Sequence, residues 1–181
     1  MKIRTLDDFD IKGKTVLLRV DMNVPIDPIT KEITGTKRIE DVAVTVNALD
    51  GAKIVIISHQ GRVGRDDFVG MENHAKELEK FCGKKVKYVC DVIGTHAQNE
   101  IKNMKNDEIL LLDNLRMCAE ENYEFTLEES AKTIMVQRLK DLFDLFVLDS
   151  FLFYRHTLGD FEDVLDAKTY GSMNLRLGLG F

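Results

Sequence analysis

Arginine is the side chain best shaped to grip a phosphate or a carboxylate, and in this sequence it recurs just after apolar runs. "SHQGRVGR" (residues 58–65) places His59, Arg62 and Arg65 behind "KIVII", and "DNLRM" places Arg116 behind "EILLL". "DSFLFYRH" brings Arg155 and His156 after "LFVL". "RVDMNVP" adds Asp21 and Asn23 behind "KTVLL", and Arg38 opens the amphipathic stretch that follows. Guanidinium forks suit bidentate contacts with anionic oxygens. Several of them brought together repel one another, so their convergence calls for an anion in return. An aspartate and an asparagine among them can orient an arginine or accept from a hydroxyl. That chemistry is the reception of a small, multiply negative, hydroxylated acid.

A blander account stands beside each residue. One arginine at a strand end is usually a solvated charge or the partner of a surface carboxylate, so the ordered series carries the argument. His74 and His96 are read on helix surfaces and receive no role. "EENYEFTLEES" reads as a solvated helix entry, and the terminal "GLGF" is too short for a dinucleotide fingerprint. No "GxxxxGK[ST]" phosphate loop occurs.

These residues need a frame that gathers them. Short apolar runs alternate with helical periods along the chain: strands over 14–21, 53–59, 85–91, 108–114 and 145–151, and helices between them. Ile39, Val42, Val46 and Leu49 recur at helical spacing up to Gly51, and a second helix closes at Gly83. Thr126 and Glu129 have capping-box spacing for a helix that runs to about Leu142. Strand and helix in alternation imply a doubly wound, Rossmann-like α/β domain with a parallel sheet flanked by helices on both faces. In such sheets ligands bind at the carboxyl ends of the strands, where the arginines fall. A single domain over 1–151 is expected, with a divergent tail over 152–181.

A net charge of −6 argues against a general nucleic-acid binder. No apolar run reaches the length of a signal peptide core or a membrane span. Cys82, Cys90 and Cys118 match no zinc spacing, so plain thiols in a reducing compartment, the cytoplasm, are expected.

"VLLRVDMNVP", the arginine of "TKRIED", "SHQGR" and "DNLR" occur in the order and spacing of the N-terminal domain of phosphoglycerate kinase. "HQGR" with the opening "RTLDDFDIKGKTVLLRVD" is most similar to archaeal members. The resemblance covers residues 1 to about 151. It implies that Asp21, Asn23, Arg38, His59, Arg62 and Arg116 bind 3-phosphoglycerate, with Arg38 also balancing charge during phosphoryl transfer. It implies Mg-ATP as the second substrate, held by another domain that this sequence does not show, and no metal or cofactor held by these residues. Three departures stand out. Val63 replaces a proline after "GR", and Asp113 replaces a glutamate before "NLR". In "DSFLFYRH" the expected His-Arg pair is reversed to Arg155 and His156, behind bulky Leu152, Phe153 and Tyr154. The resemblance therefore implies the acceptor-binding half of a glycolytic kinase, without turnover alone. A non-catalytic anion-binding or interaction module descended from that domain is the alternative.

Overall fold

The computed structural model describes residues 6–149, which form a five-stranded, wholly parallel sheet in the order β3-β4-β2-β1-β5. The strands are β1 (Thr15–Val20), β2 (Lys53–Ile57), β3 (Val86–Val89), β4 (Ile109–Leu112) and β5 (Leu145–Asp149). Successive side chains on a strand point to opposite faces, and the apolar runs fill both. Val16, Leu18, Ile54, Ile56, Ile109, Leu111, Leu145 and Val147 belong to one core, whereas Leu17, Val55, Ile57, Leu110, Leu112 and Phe146 belong to the other. Burial on two sides is why these strands read as continuous apolar runs.

Helices α1 (Lys37–Ala48) and α2 (Glu72–Cys82) cover the first face through Ile39, Val42, Val46, Ala75 and Leu78. Helices α3 (Thr95–Lys102) and α5 (Ile134–Leu139) cover the second through Ala97, Ile101, Met135, Val136 and Leu139. Gly83 ends α2 in the left-handed conformation that a side chain disfavours. The capping box at Thr126 and Glu129 forms as expected. The helix it starts, α4 (Leu127–Lys132), does not continue to Leu142, however. Thr133 turns extended, and its hydroxyl caps the start of α5.

This topology has a switch point. β2 and β4 are neighbours, yet the chain leaves β2 for α2 on one face and leaves β4 for α4 and α5 on the other. Loops diverging from adjacent strands leave a crevice at their carboxyl ends. Among the described residues no helix is long and apolar enough to cross a membrane. The three cysteines are free, with Cys82 buried, Cys118 half-buried and Cys90 exposed.

Candidate anion-binding site

At the β2–β4 crevice lies a cavity of about 680 Å³ lined by Asn23, His59, Gly61, Arg62, Arg65 and Arg116, with Asp66 and Asp67 at its margin. Each strand end contributes through a short, rigid connection. Asn23 sits two residues beyond β1's loop carboxylate, and its Oδ1 accepts from the Gly61 amide at 3.0 Å. Arg116 reaches across from β4 and donates to the Gly61 carbonyl. Gly61 is itself obligatory. Its φ is +64°, and a Cβ there would meet the Asp67 carbonyl oxygen at 2.4 Å.

A buried polar scaffold fixes these loops. The Ser58 hydroxyl donates to the Val20 carbonyl at 2.9 Å and accepts from the Met22 amide at 3.0 Å. Asn114 donates to the carbonyls of Gln60 and Val69 and accepts from the amides of Gln60 and Arg116. Asp113 accepts from the Met71 and Asn114 amides, so the shorter carboxylate still ties β4's end to the start of α2.

The electrostatics favour an anion. Burial, together with the nearby charges of Arg116 and Arg19, pushes the His59 pKa down to about 4, so at neutral pH it is an uncharged hydrogen-bonding group. Burial also lowers the Arg116 pKa; the Arg62 and Arg19 charges push the same way, and Glu121 and Asp67 oppose them. Even so, arginine keeps its proton. Arg62 and Arg65 are exposed, free to turn toward an entering ligand.

Asp21 and Arg38 lie in a second, neighbouring cavity of about 570 Å³, lined also by Asp41, Thr45 and Asp149. Arg38 donates to Asp21 Oδ2, and Asp21 Oδ1 accepts from the Asn23 amide at 3.0 Å. Thr45 on α1 donates to Asp149 at the end of β5. The structure thus brings Asn23, His59, Arg62 and Arg116 together and sets Asp21 and Arg38 beside them. Arg155 and His156, with the tail over 152–181, fall outside the described residues. Among the described residues no cluster of three or more His, Cys, Asp or Glu side chains is arranged to hold a metal ion.

Three features escaped the sequence. Arg19, on β1, makes a two-bond ion pair with Glu121 at 2.6 and 3.3 Å, both side chains largely buried. Glu120 beside it accepts from the Ile134 and Met135 amides at the start of α5. The "EENYEF" stretch is therefore more than a solvated helix entry. A charge near the carboxyl end of an inner apolar strand was the available signal, since buried charges demand partners. His74, read as a surface residue, is wholly buried on α2 and contacts Gln60 Oε1 at 3.0 Å. Its period on α2 matches Ala75 and Leu78, which the polar side chain obscured.

The sequence model of the family described as phosphoglycerate kinase matches residues 6–158. Phosphoglycerate kinase of Methanosarcina mazei is 43% identical over 147 residues, covering 81% of this chain and 35% of that protein. The enzyme of Methanococcus maripaludis is 44% identical over 156 residues, covering 81% and 38%. The crystal structure of phosphoglycerate kinase from Pyrococcus horikoshii superposes with a TM-score of 0.75 at 36% identity, covering 81% of this chain and 36% of that one. The chain thus spans little more than a third of the length of the relatives it matches.

Proposed function

Since the chain belongs to the phosphoglycerate kinase family, we propose that the cavity at the β2–β4 switch point binds 3-phosphoglycerate and that the chain is the acceptor-binding half of a glycolytic phosphotransferase acting in the cytoplasm. The observation that carries this reading is the gathering of Arg62, Arg65 and Arg116 on one cavity with uncharged His59 and Asn23. Three guanidinium groups supply the charge and the fork geometry for a phosphate ester. His59 and Asn23 supply neutral hydrogen bonds to the rest of a three-carbon acid.

Phosphoryl transfer asks little covalent chemistry of a protein and depends on positioning and on cations around the spreading charge. Here the arginines fix the acceptor. Arg38, held by Asp21 in the adjoining cavity, would balance charge when a phosphoryl group approaches the acceptor carboxylate. Mg-ATP would supply that group. A separate nucleotide-binding domain, which the family resemblance implies, is the proposed partner that would hold it. Arg155 and His156 are the proposed further contacts from beyond the described residues.

Calorimetric titration with 3-phosphoglycerate at low salt, where screening is weak, tests the reading. Saturable binding is expected, weakened by roughly 1–3 kcal/mol in Arg62→Ala and in Arg116→Ala, the scale of a charge-assisted hydrogen bond. A folded chain that shows no saturable binding overturns it. Turnover is expected only once a nucleotide-binding half and Mg-ATP are added. Binding without turnover in that mixture would instead select the non-catalytic anion-binding module.

A further inference from the structure

The loops that form the arginine cavity meet at one buried side chain, Gln60, which is 0% exposed. Its Oε1 accepts from the Val24 amide at 2.9 Å, and its Nε2 donates to the Val24 carbonyl at 3.0 Å. The side-chain amide thus pairs with Val24 as a neighbouring strand would. The same Nε2 also reaches the Asp67 carbonyl at 3.3 Å. The backbone of Gln60 exchanges hydrogen bonds with the Asn114 side chain at 3.3 and 2.7 Å. Every cavity loop is therefore one step from Gln60. Val24 adjoins Asn23, Asp67 closes the loop that carries Arg62 and Arg65, and Asn114 stands two residues before Arg116.

A carboxamide oxygen accepts two hydrogen bonds. Val24 provides one, and His74 Nε2, 3.0 Å away on α2, provides the other. Val24 also settles the orientation of the amide, because the opposite orientation would set its NH₂ against the Val24 N–H. His74 must therefore be the donor at Nε2. An uncharged ring fits this, since burial holds the His74 pKa down at about 4, partly offset by the Met22 carbonyl. His74 is 0% exposed and does not line the arginine cavity.

We propose that His74 is a positioning residue for the anion site: by saturating the Gln60 side-chain amide from α2, it locks the Asn23 turn, the Arg62–Asp67 loop and the Asn114–Arg116 turn at the spacing that the ligand requires. This rests on the reading of the cavity as a 3-phosphoglycerate site. What it adds is a residue that contacts no ligand and acts only through Gln60.

The experiment compares His74→Gln, His74→Asn and His74→Leu. A glutamine amide extends to about where the imidazole Nε2 stands, whereas asparagine stops one methylene short and leucine has no donor. Two quantities are measured on the folded chain: the dissociation constant for 3-phosphoglycerate, and native-state exchange of the Val24 and Gly61 amides against Leu17 and Leu18 in the core. His74→Asn and His74→Leu should weaken binding at least tenfold and speed exchange at Val24 and Gly61 at least tenfold, with the β1 reference amides little changed. His74→Gln should keep both within about threefold of the parent chain. If all three variants behave alike, or exchange accelerates equally in β1, His74 is only a packing residue and the proposal is overturned. If the parent chain itself does not bind 3-phosphoglycerate, the functional reading fails, and the exchange pattern alone decides whether the lock exists.

Discussion

The two cavities at the carboxyl edge of the sheet share the loop after β1 and differ in charge. Asn23 faces the crevice of Arg62, Arg65 and Arg116, where three arginines stand against Asp66 and Asp67. Asp21, two residues earlier, faces a cavity where Arg38 stands alone against three aspartates, Asp21, Asp41 and Asp149. The same residue type therefore does different work on the two sides. In the first cavity cations exceed the carboxylates and an anion lowers the repulsion among them. In the second the arginine is already neutralised, and an entering anion would have to compete with Asp21. The proposed anion site is therefore the cavity where arginines exceed carboxylates, not every cavity that holds an arginine.

The sharpest way to break one side without the other is Gly61→Ala. A methyl group at φ +64° is strained, and it would lie 2.4 Å from the Asp67 carbonyl oxygen, against backbone that cannot swing aside like a flexible side chain. Left-handed strain costs about 1–3 kcal/mol by itself, and the collision adds to it, so a loss of about 3 kcal/mol or more is expected. The Arg62–Asp67 loop should shift, and 3-phosphoglycerate affinity should fall more than a hundredfold. The Arg38–Asp21 pair touches neither Gly61 nor Asp67 and should persist. Titration with a crystal structure of the variant checks both halves. Unchanged affinity would show that the loop's conformation does not matter to binding.

Acid distinguishes the two sides next, because His59 lines the first cavity and His74 meets it only through Gln60. An unfolded histidine takes up its proton near 6.5, whereas His74 resists protonation until about 4. The unfolded state therefore binds more protons between these values. The stability that neutral His74 contributes is complete above 6.5 and is lost as pH falls toward 4, for a total of about 3 kcal/mol. His59 shifts in the same direction, and its partial exposure makes its share smaller. Urea midpoints taken from pH 7.5 to 4.5 should decline in the parent chain and decline less in His74→Gln. Parallel curves would assign the acid sensitivity to other groups.

Much of this was legible beforehand. The parallel sheet follows from apolar runs alternating with helical periods, and Arg62, Arg65 and Arg116 fall in the turns after β2 and β4, behind Gly61, Gly64 and Asn114. The scaffold beneath was not legible. Gln60 and Asn114 received no role, since their value lies in hydrogen bonds to backbone far off in sequence. His74 sits on the buried stripe of α2, but a titratable residue on such a stripe is invisible to an apolar period. Glu121 was hidden in an acidic stretch, and only the pairing of η-nitrogens on Arg19 with its carboxylate singles it out. The break at Thr133 likewise reverses a helical pattern that runs on in the residues themselves. Local pattern reports the layers; contacts between distant loops report the site.

The smallest expected effect sharpens the comparison most, and it concerns Arg38. Its side chain is about half exposed, and its bond to Asp21 lies near solvent, where such pairs contribute about 1 kcal/mol or less. If its charge is matched in the ground state, Arg38→Ala should weaken 3-phosphoglycerate binding by less than about 1 kcal/mol, clearly less than Arg62→Ala. Its importance should emerge when negative charge builds up during transfer, because a group that stabilises only the transition state lowers turnover and leaves binding nearly untouched. With a nucleotide-binding half and Mg-ATP present, Arg38→Ala should therefore reduce turnover far more than affinity, whereas Arg62→Ala should reduce chiefly affinity. Equal losses of affinity in both variants would mean that Arg38 leaves Asp21 to join the bound anion, and the two cavities would then act as one site whenever ligand is present.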